Sequence, residues 1–304
     1  IFLALFIFFF FHRIQNKDTI SLFWLSKETS ILINNWFMMY FLSVVLIGTT
    51  YPIFLEVISS QKISVGPPFY NKLIIPLLIP FLLAMAIGPK LKWIKSNIEN
   101  KLHLLLFLII SFLISILIVI NLDINFLINS ILITSALFLF FVSSKDFLKN
   151  KFVNLSQNLA HFGFSLLILS ILLNNFFSIE IITNLRKGET FESKKLNISF
   201  DDLNKRNEKN FEAITGTFLI KHDNNIEILK PELRIYNQPN IVTSEADIKT
   251  SLLSDKFITM NLVQNQDYFN IRYQIKPFML WIWLSVLLIT LGGIISLFKK
   301  RHEN

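Results

Sequence analysis

The sequence predicts a polytopic α-helical membrane protein with about six complete spans, a truncated first span and a small all-β domain inserted before the last span. Of its 304 residues, 53% are hydrophobic and only 16% are charged, and the mean hydropathy is +0.54. Soluble globular proteins are about 45–50% apolar and about 25% charged, so a soluble enzyme is excluded. Several apolar segments have the length of about 20 residues that a bilayer core requires, whereas residues 181–276 are polar with alternating apolar positions.

The apolar segments define the order of the domains. Residues 1–11 are apolar but too short to cross a bilayer, and they lack the charged start and the cleavage site of a signal peptide. We interpret them as a truncated span and expect further functional residues upstream of Ile1. Six complete spans are predicted at residues 31–57, 72–89, 102–122, 124–143, 155–178 and 278–298. The predicted domains are the truncated span 1–11, a five-span bundle within 12–180, a β domain at 181–276, a last span at 277–298 and a basic tail at 299–304.

The lysines and arginines of the short loops predict the orientation of the spans, because positive residues near span ends stay in the cytoplasm. One alternating set of loops holds thirteen of them, namely Arg13, Lys17, Lys27, Lys90, Lys92, Lys95, Lys101, Lys145, Lys149, Lys151, Lys299, Lys300 and Arg301. The other side, with the β domain, is then the periplasm of a bacterium, and the mitochondrial inner membrane is the alternative location. The β domain holds 14 Lys or Arg against 13 Asp or Glu, so the net charge of +8 reflects topology and does not indicate nucleic-acid binding.

Period-2 patterns predict the strands of the β domain. Residues 269–276 (FNIRYQIK) alternate apolar and polar side chains, which is typical of a strand with one buried face. Residues 216–236 are interpreted as two strands joined by an Asp-Asn-Asn turn. The Asn- and Lys-rich stretch 201–210 is predicted to be an exposed loop.

One histidine, His161, marks a candidate functional site within a span. At spacings of three and four it continues a polar stripe of Asn154, Gln157 or Asn158, and Ser165 along an otherwise apolar helix. An ionisable residue inside a span is costly and indicates function; haem ligation, proton relay and interhelical hydrogen bonding all stay open. A bis-histidine haem site would need its second histidine upstream of this chain. Ordinary interfacial or surface interpretations suffice for the other four histidines, His12, His103, His222 and His302.

Two sets of residues near span ends have weaker functional interpretations. One is a rigid loop on the outer face, made of Gly66, Pro67 and Pro68. The other lies at the start of a span and is made of Lys27, Glu28, Asn34 and Asn35. The first set is best explained as a turn, and the two amides of the second set need hydrogen-bond partners inside the bundle.

The β domain carries a charged group made of Lys230, Glu232, Arg234 and Glu245. A solvated sheet face is the simpler interpretation, and a basic site for an acidic ligand such as haem propionates is the other. The chain has no cysteine and no Walker A, GxSxG or HExxH motif. Cysteine-ligated metals, thiol nucleophiles, nucleotide-driven transport and familiar hydrolase chemistry therefore have no support, and no residue is assigned a catalytic role.

Seven segments together resemble the C-terminal half of the CcmF family, the cytochrome c-type biogenesis proteins that act as haem lyases. In chain order they are SKETSILINN, TYPIFLE, KISVGPPFYN, IGPKLKW, AHFGFSLLI, PELRIY with TSEADI, and KPFMLWIWLSVLLITLGGIISL. They occur in the order of the family and cover nearly the whole chain. ISVGPPF and the final segment are the most specific of the seven.

The resemblance implies that His161 is one axial ligand of the iron of a b-type haem (haem b), with the second ligand expected upstream of this chain. It also implies that haem is received from a CcmE-type haem chaperone and attached to an apocytochrome c at the periplasmic face of the inner membrane, together with a CcmH-type thiol-handling partner. The expected surroundings are membrane lipid, and no nucleic acid is expected as a partner. Family motifs without an assigned role contain Lys27, Glu28, Asn34, Asn35, Gly66, Pro67, Pro68, Glu232, Arg234 and Glu245.

The chain departs from the family pattern, and two other functions stay open. The tryptophan-rich WWD haem-delivery segment and the first transmembrane histidine of the family are absent, so this chain alone is expected to be inactive as a lyase. Lys27 stands where the family motif has arginine, which keeps the charge but loses bidentate geometry. The alternatives are a secondary transporter that uses the polar stripe as a path, and a non-catalytic membrane scaffold whose β domain binds partners.

Overall fold

In a computed structural model of the protein, the described residues are 26–59, 62–93, 101–122, 126–149, 154–193, 196–222, 225–263 and 266–298. The predicted truncated span 1–11 and the basic tail 299–304 lie outside the described residues. The described chain divides into two compact units. One unit runs to Ser165 and resumes at Ile289, and the other is Leu166–Leu288, which contains the β domain.

Six helices carry the predicted spans. They are α1 (Lys27–Ser59), α2 (Pro67–Ile87), α3 (Lys101–Leu122), α4 (Phe126–Lys149), α5 (Leu155–Phe177) and α6 (Met279–Phe298), and a short 3-10 helix (Gly88–Lys90) follows α2. Within the described residues, all six are long and apolar enough to cross a membrane, so the predicted polytopic fold is confirmed. Helix α2 begins at Pro67 and not at residue 72, because Pro67 and Pro68 occupy its first turn, where proline has no N–H bond to lose.

Helix α4 is the most buried helix of the bundle. Eleven of its 24 residues are buried, and it packs against both α2 and α3. Small polar side chains lie at these contacts, since they let helices approach closely and hydrogen-bond inside a membrane. Ser115 of α3 and Thr134 of α4, for example, are joined by a buried hydrogen bond of 2.7 Å. Helices α1 and α3 leave many apolar side chains exposed, as expected of surfaces that contact lipid.

The described residues of the β domain form ten strands in two sheets. They are β1 (Ile179–Leu185), β2 (Thr190–Ser193), β3 (Leu196–Asn207), β4 (Phe211–His222), β5 (Asn225–Leu229), β6 (Glu232–Tyr236), β7 (Ile241–Glu245), β8 (Asp247–Thr250), β9 (Ser254–Leu262) and β10 (Phe269–Pro277). One sheet has the order β1-β10-β9-β8 and the other β2-β3-β4-β6-β7, with β5 also paired to β4. The pairings among the described strands are antiparallel, which confirms the predicted all-β insert.

A single apolar cluster with members from both sheets forms the core of the β domain. Phe200 and Phe218 are fully buried and stack with their ring centroids 4.5 Å apart. The other sheet contributes Ile271 and Tyr273 of β10, whereas Arg272 between them is exposed. This alternation is the period of two that identifies FNIRYQIK as a strand in the sequence.

Two details of the strand prediction are corrected. The predicted exposed loop at 201–210 is wrong, because β3 continues to Asn207 and pairs with β4 up to Glu212. Strand β3 continues beyond its apolar part because its backbone still pairs with β4 after a register shift between Phe200 and Asp202. The polar composition of this stretch does not reveal the pairing. Residues 216–236 contain parts of three strands instead of two: β4 and β5 form the predicted hairpin and β6 follows. The turn at 223–224 lies outside the described residues.

Candidate cofactor site around His161

His161 lies well inside a span. Helix α5 begins at Leu155, directly after Asn154, whose φ of 56° interrupts the helical backbone. His161 is therefore the seventh residue of the helix, and at a rise of 1.5 Å per residue it lies about 9 Å from the helix start. Its side chain is half-buried. This position is beyond the first turn, where a histidine would simply face the membrane surface.

Two contacts of α5 identify its neighbours. The ring of Phe164 meets Phe81 of α2 edge-on, with the centroids 6.1 Å apart. The hydroxyl oxygen of the next residue, Ser165, is 2.6 Å from that of Ser143 on α4, in a fully buried hydrogen bond. Because α2 and α4 also pack against each other, this side of α5 faces the seam between them.

His161 lies between the two contact directions on α5. At about 100° per residue, Phe164 is about 60° to one side of His161 and Ser165 about 40° to the other. His161 therefore faces the seam between α2 and α4. The predicted polar stripe follows the same side of the helix, with Ser165 buried, Asn158 half-buried and Gln157 exposed near the helix start.

A cavity of about 310 Å³ lies at the beginning of this stripe, where the ends of α2, α3, α4 and α5 come together. Its charged and polar lining residues are Lys90, Lys92, His103, Lys145, Asp146, Lys149, Asn154, Gln157 and Asn158. Four lysines and one aspartate give these residues a formal charge of +3 without His103. This basic cavity, as we call it below, is suited to an anionic group.

An ion pair fixes one wall of the basic cavity. The ammonium group of Lys90 donates to both carboxylate oxygens of Asp146, over 2.8 and 2.7 Å. The two side chains are only 21% and 32% exposed, so water and salt screen the pair less than a surface pair. The pair ties the end of α2 to α4, the two helices that form the seam facing His161.

The sequence does not single out the basic cavity. In the sequence, the lysines of the cavity serve only to predict topology. His103 has an ordinary interfacial interpretation in the sequence, whereas the structure places it in the cavity lining near the start of α3. Lys90 and Asp146 are 56 positions apart, so no local pattern indicates their pairing. The one local signal of this pair in the sequence is Asp146, an aspartate near the end of an apolar span. Of the other histidines, His222 ends β4, and His12 and His302 lie outside the described residues.

The charged residues at the start of α1 meet the segment that follows α2. The Lys27 backbone N–H donates to the carbonyl oxygen of Lys92 over 3.0 Å, and the Lys27 ammonium lies 5.2 Å from the centroid of the Trp93 ring. Glu28 occupies the first turn of α1, where a carboxylate interacts favourably with the helix dipole. Two of the family-like segments, SKETSILINN and IGPKLKW, therefore contact each other at this end of the bundle.

The remaining predicted residues of the bundle lie on α1 and at the start of α2. Asn34 and Asn35 are both exposed on α1, so neither amide is enclosed by the described part of the bundle. Gly66 precedes α2 in an extended conformation, and Pro67 and Pro68 form the first turn of that helix. The rigid turn expected from Gly-Pro-Pro is thus a helix start.

The predicted charged residues of the β domain come together on one sheet face. Glu232 and Glu245 lie opposite each other on β6 and β7, and Arg234 donates to Glu232 from Nε and Nη2 over 3.2 and 3.1 Å. Arg206 reaches the same carboxylate at 3.8 Å. The hydrogen bond to Glu232 raises the pKa of the Arg234 guanidinium. Two arginines balance two glutamates, which favours a solvated sheet face over a basic site, and Lys230 is held elsewhere, through its backbone N–H, by Asp247.

A family model matches the β domain. Residues 176–277 match the model described as the CcmF C-terminal beta-sandwich. The matched range begins within α5 and ends with β10, so it contains all ten strands.

Curated relatives match a larger part of the chain. The cytochrome c-type biogenesis protein CcmF of Pseudomonas aeruginosa is 26% identical over 294 residues, which cover 91% of this chain and 45% of the relative. The protein of the same name from Escherichia coli is 25% identical over 302 residues, which cover 96% of this chain and 46% of the relative. The chain thus spans about half the length of these relatives.

A solved structure shares the fold. The structure described as "Cytochrome c Heme Lyase CcmF" matches with a TM-score of 0.71 at 20% identity, over 91% of this chain and 46% of the other. The helical spans and the antiparallel β domain therefore recur together in that fold. With the family-model match over the β domain and the relatives over most of the chain, this likeness shows that the chain is similar in sequence and fold to the cytochrome c-type biogenesis proteins CcmF.

Proposed function

We propose that this chain is part of a haem lyase of cytochrome c maturation and that it binds a b-type haem through His161. The observation that carries the proposal is the half-buried imidazole about 9 Å inside α5, on the side that faces the seam between α2 and α4. An ionisable side chain at such a depth indicates a functional site. The names of the relatives, cytochrome c-type biogenesis proteins, supply the process.

The residues around His161 fit an axial ligand of haem iron. A neutral imidazole is a common axial ligand, and Phe162 and Phe164, which pack against phenylalanines of α4 and α2, make the surroundings of His161 apolar. Within the described ranges, no group of three or more His, Cys, Asp or Glu side chains could hold a metal ion by itself. A lone histidine agrees with a site in which a porphyrin already holds the iron and the protein adds one axial ligand.

Two contacts between α4 and α5 fix the part of α5 that carries His161. The Ser143–Ser165 hydrogen bond lies one turn after His161, and the rings of Phe147 and Phe162 stack with centroids 5.1 Å apart and planes 9° apart. A haem bound here would supply one-electron transfer. The basic cavity begins about one helical turn, roughly 5 Å, before His161, and its lysine ammonium groups suit carboxylates such as haem propionates.

The β domain and its partners complete the proposal. The end of the bundle that carries the basic cavity is rich in lysine and belongs to the cytoplasmic side by the positive-inside rule, so the β domain, which follows the other end of α5, faces the periplasm. A CcmE-type haem chaperone, a CcmH-type partner and the apocytochrome c bind on that side. Because the chain spans about half the length of its relatives, covalent attachment of haem is proposed for the complete protein and not for this chain alone.

A reduced-minus-oxidised absorption spectrum of the complete gene product tests the haem site. In the His161→Ala variant the b-type bands should be lost, because the ligand is removed and the rest of α5 is unchanged. The matched control is His222→Ala, which removes the histidine that ends β4 in the β domain and should keep the bands. An unchanged spectrum in a folded His161→Ala protein would refute the proposed ligand.

A further inference from the structure

A tight hairpin in the β domain carries two leucines at its tip. Strands β8 and β9 are joined by residues 251–253. The turn is closed by a hydrogen bond from the Ser251 N–H to the Ser254 carbonyl oxygen (3.0 Å) and by one from the Ser254 N–H to the Ser251 hydroxyl (3.1 Å). Leu252 and Leu253 between them are 71% and 67% exposed. Such tips usually carry Gly, Asn, Asp, Pro or Ser, so two leucines there need another explanation.

The hairpin tip is hydrogen-bonded to Phe278, which directly precedes α6, and to Trp281 in the first turn of α6. The Phe278 N–H donates to the carbonyl oxygen of Leu253 over 2.8 Å, and the indole N–H of Trp281 donates to the carbonyl oxygen of Leu252 over 2.9 Å. The backbone acceptors of both leucines are therefore satisfied by the chain itself. Moving this tip out of water would leave both carbonyl oxygens hydrogen-bonded, and unsatisfied backbone carbonyls are one obstacle to placing a turn in a membrane.

The length of α6 determines how deep in the membrane these contacts lie. The helix has 20 residues (Met279–Phe298), so it is about 30 Å long, which equals the thickness of the hydrocarbon core. In the sequence, Lys276 lies shortly before the helix and Lys299 directly after it, so the apolar segment cannot extend further at either end. Its first turn must lie at the edge of the hydrocarbon, and Trp281 there is of the residue type enriched at this level.

We propose that the leucine tip, Leu252 and Leu253, is a membrane anchor that inserts into the lipid leaflet in which α6 begins. Its occupant is the bilayer itself: lipid acyl chains and the apolar part of the headgroup region cover the two side chains. The anchor holds the β8–β9 end of the β domain against the membrane, next to the covalent connection from β10 into α6. This inference does not depend on the haem site.

Site-directed spin labelling tests the anchor. The chain contains no cysteine, so a nitroxide can be attached at one introduced cysteine in Leu252→Cys or Leu253→Cys, with the protein reconstituted in vesicles of phosphatidylcholine and phosphatidylglycerol. The matched control is Asn261→Cys, an exposed position on the same strand as Ser254. It lies seven residues, about 24 Å, further along β9. Collision of each label with oxygen, which concentrates in hydrocarbon, is compared with collision with a water-soluble nickel chelate.

Insertion predicts a several-fold higher ratio of oxygen to nickel collisions at residues 252 and 253 than at residue 261. A ratio at the tip equal to that at Asn261→Cys would overturn the proposal, because it would place the leucines in water. Low collision rates with both reagents would also overturn it, because they would mean that protein and not lipid covers the tip. The labels replace exposed side chains and leave the two carbonyl hydrogen bonds intact, and circular dichroism of each labelled protein checks that the fold is retained.

Discussion

Adjacent glycines of α6 offer a sharp test of how closely α5 and α6 pack. At Gly292 an added Cβ atom would lie 2.8 Å from the Ser156 carbonyl oxygen, 2.9 Å from the Ala160 backbone nitrogen and 3.2 Å from the Ala160 Cβ. At Gly293 an added Cβ atom would meet nothing within 4 Å. Small residues let membrane helices approach to backbone contact, so Gly292→Ala and Gly293→Ala should differ although the chemical change is the same.

The magnitude follows from these distances. Ordinary contact begins at 3.4 Å, so the Gly292→Ala methyl group must move by about 3.4 − 2.8 = 0.6 Å relative to α5. Its neighbours there are backbone atoms, which cannot rotate away, and overpacking of this kind costs about 1–3 kcal/mol. Gly293→Ala meets no neighbour, and replacing a helical glycine with alanine contributes about 0.5–1 kcal/mol of stability. The two variants should therefore change stability in opposite directions.

Thermal unfolding of the detergent-solubilised protein, followed by far-ultraviolet circular dichroism, measures the difference. With about 2–4 °C for each kcal/mol, Gly292→Ala should lower the midpoint by several degrees and Gly293→Ala should leave it unchanged or raise it. Since Ala160 directly precedes His161, the proposed haem site predicts that Gly292→Ala also alters the b-type spectrum expected of the complete protein. Equal midpoints for the two variants would refute the close approach of α6 to Ala160.

Two further predictions concern the β domain, measured by proteolysis of the domain in increasing urea. Phe218→Ala should cost about 3–5 kcal/mol because it empties a fully buried ring site, whereas Ile228→Ala, which is 55% exposed, should cost less than about 1 kcal/mol; similar losses would argue against the assigned core. Burial raises the pKa of Glu227, but the hydrogen bonds and charges of Lys256 and Lys249 outweigh burial and hold it below its ordinary 4.5. A carboxyl with a lowered folded-state pKa stabilises the fold above its unfolded pKa, and this stabilisation is lost as pH falls through the folded value. Glu227→Gln should therefore be less stable than the parent at pH 7, with a difference that shrinks towards zero in acid; a difference independent of pH would contradict the ion pair.

The helical spans follow from the sequence because the bilayer sets their length. An apolar run near 20 residues has one stable solution in lipid, a helix, and all six predicted spans are helices of that kind. The ends do not follow from hydropathy, as the start of α2 at Pro67 shows, since the first turn of a helix depends on local backbone chemistry. His161 is also visible in the sequence, because a polar stripe on an apolar helix has a clear period.

The partners of these residues come only from the tertiary structure. Lys90 meets Asp146 across 56 positions, and Trp281 meets the carbonyl oxygen of Leu252 across 29. Such pairings depend on how separate elements pack, and no local periodicity encodes them. The same reason explains the wrong prediction for 201–210, where pairing with β4 makes a strand of a polar stretch. The sequence by itself predicts the spans and singles out His161, because lipid acts on each segment separately; the tertiary structure decided the basic cavity and the leucine tip, because each needs residues from distant segments.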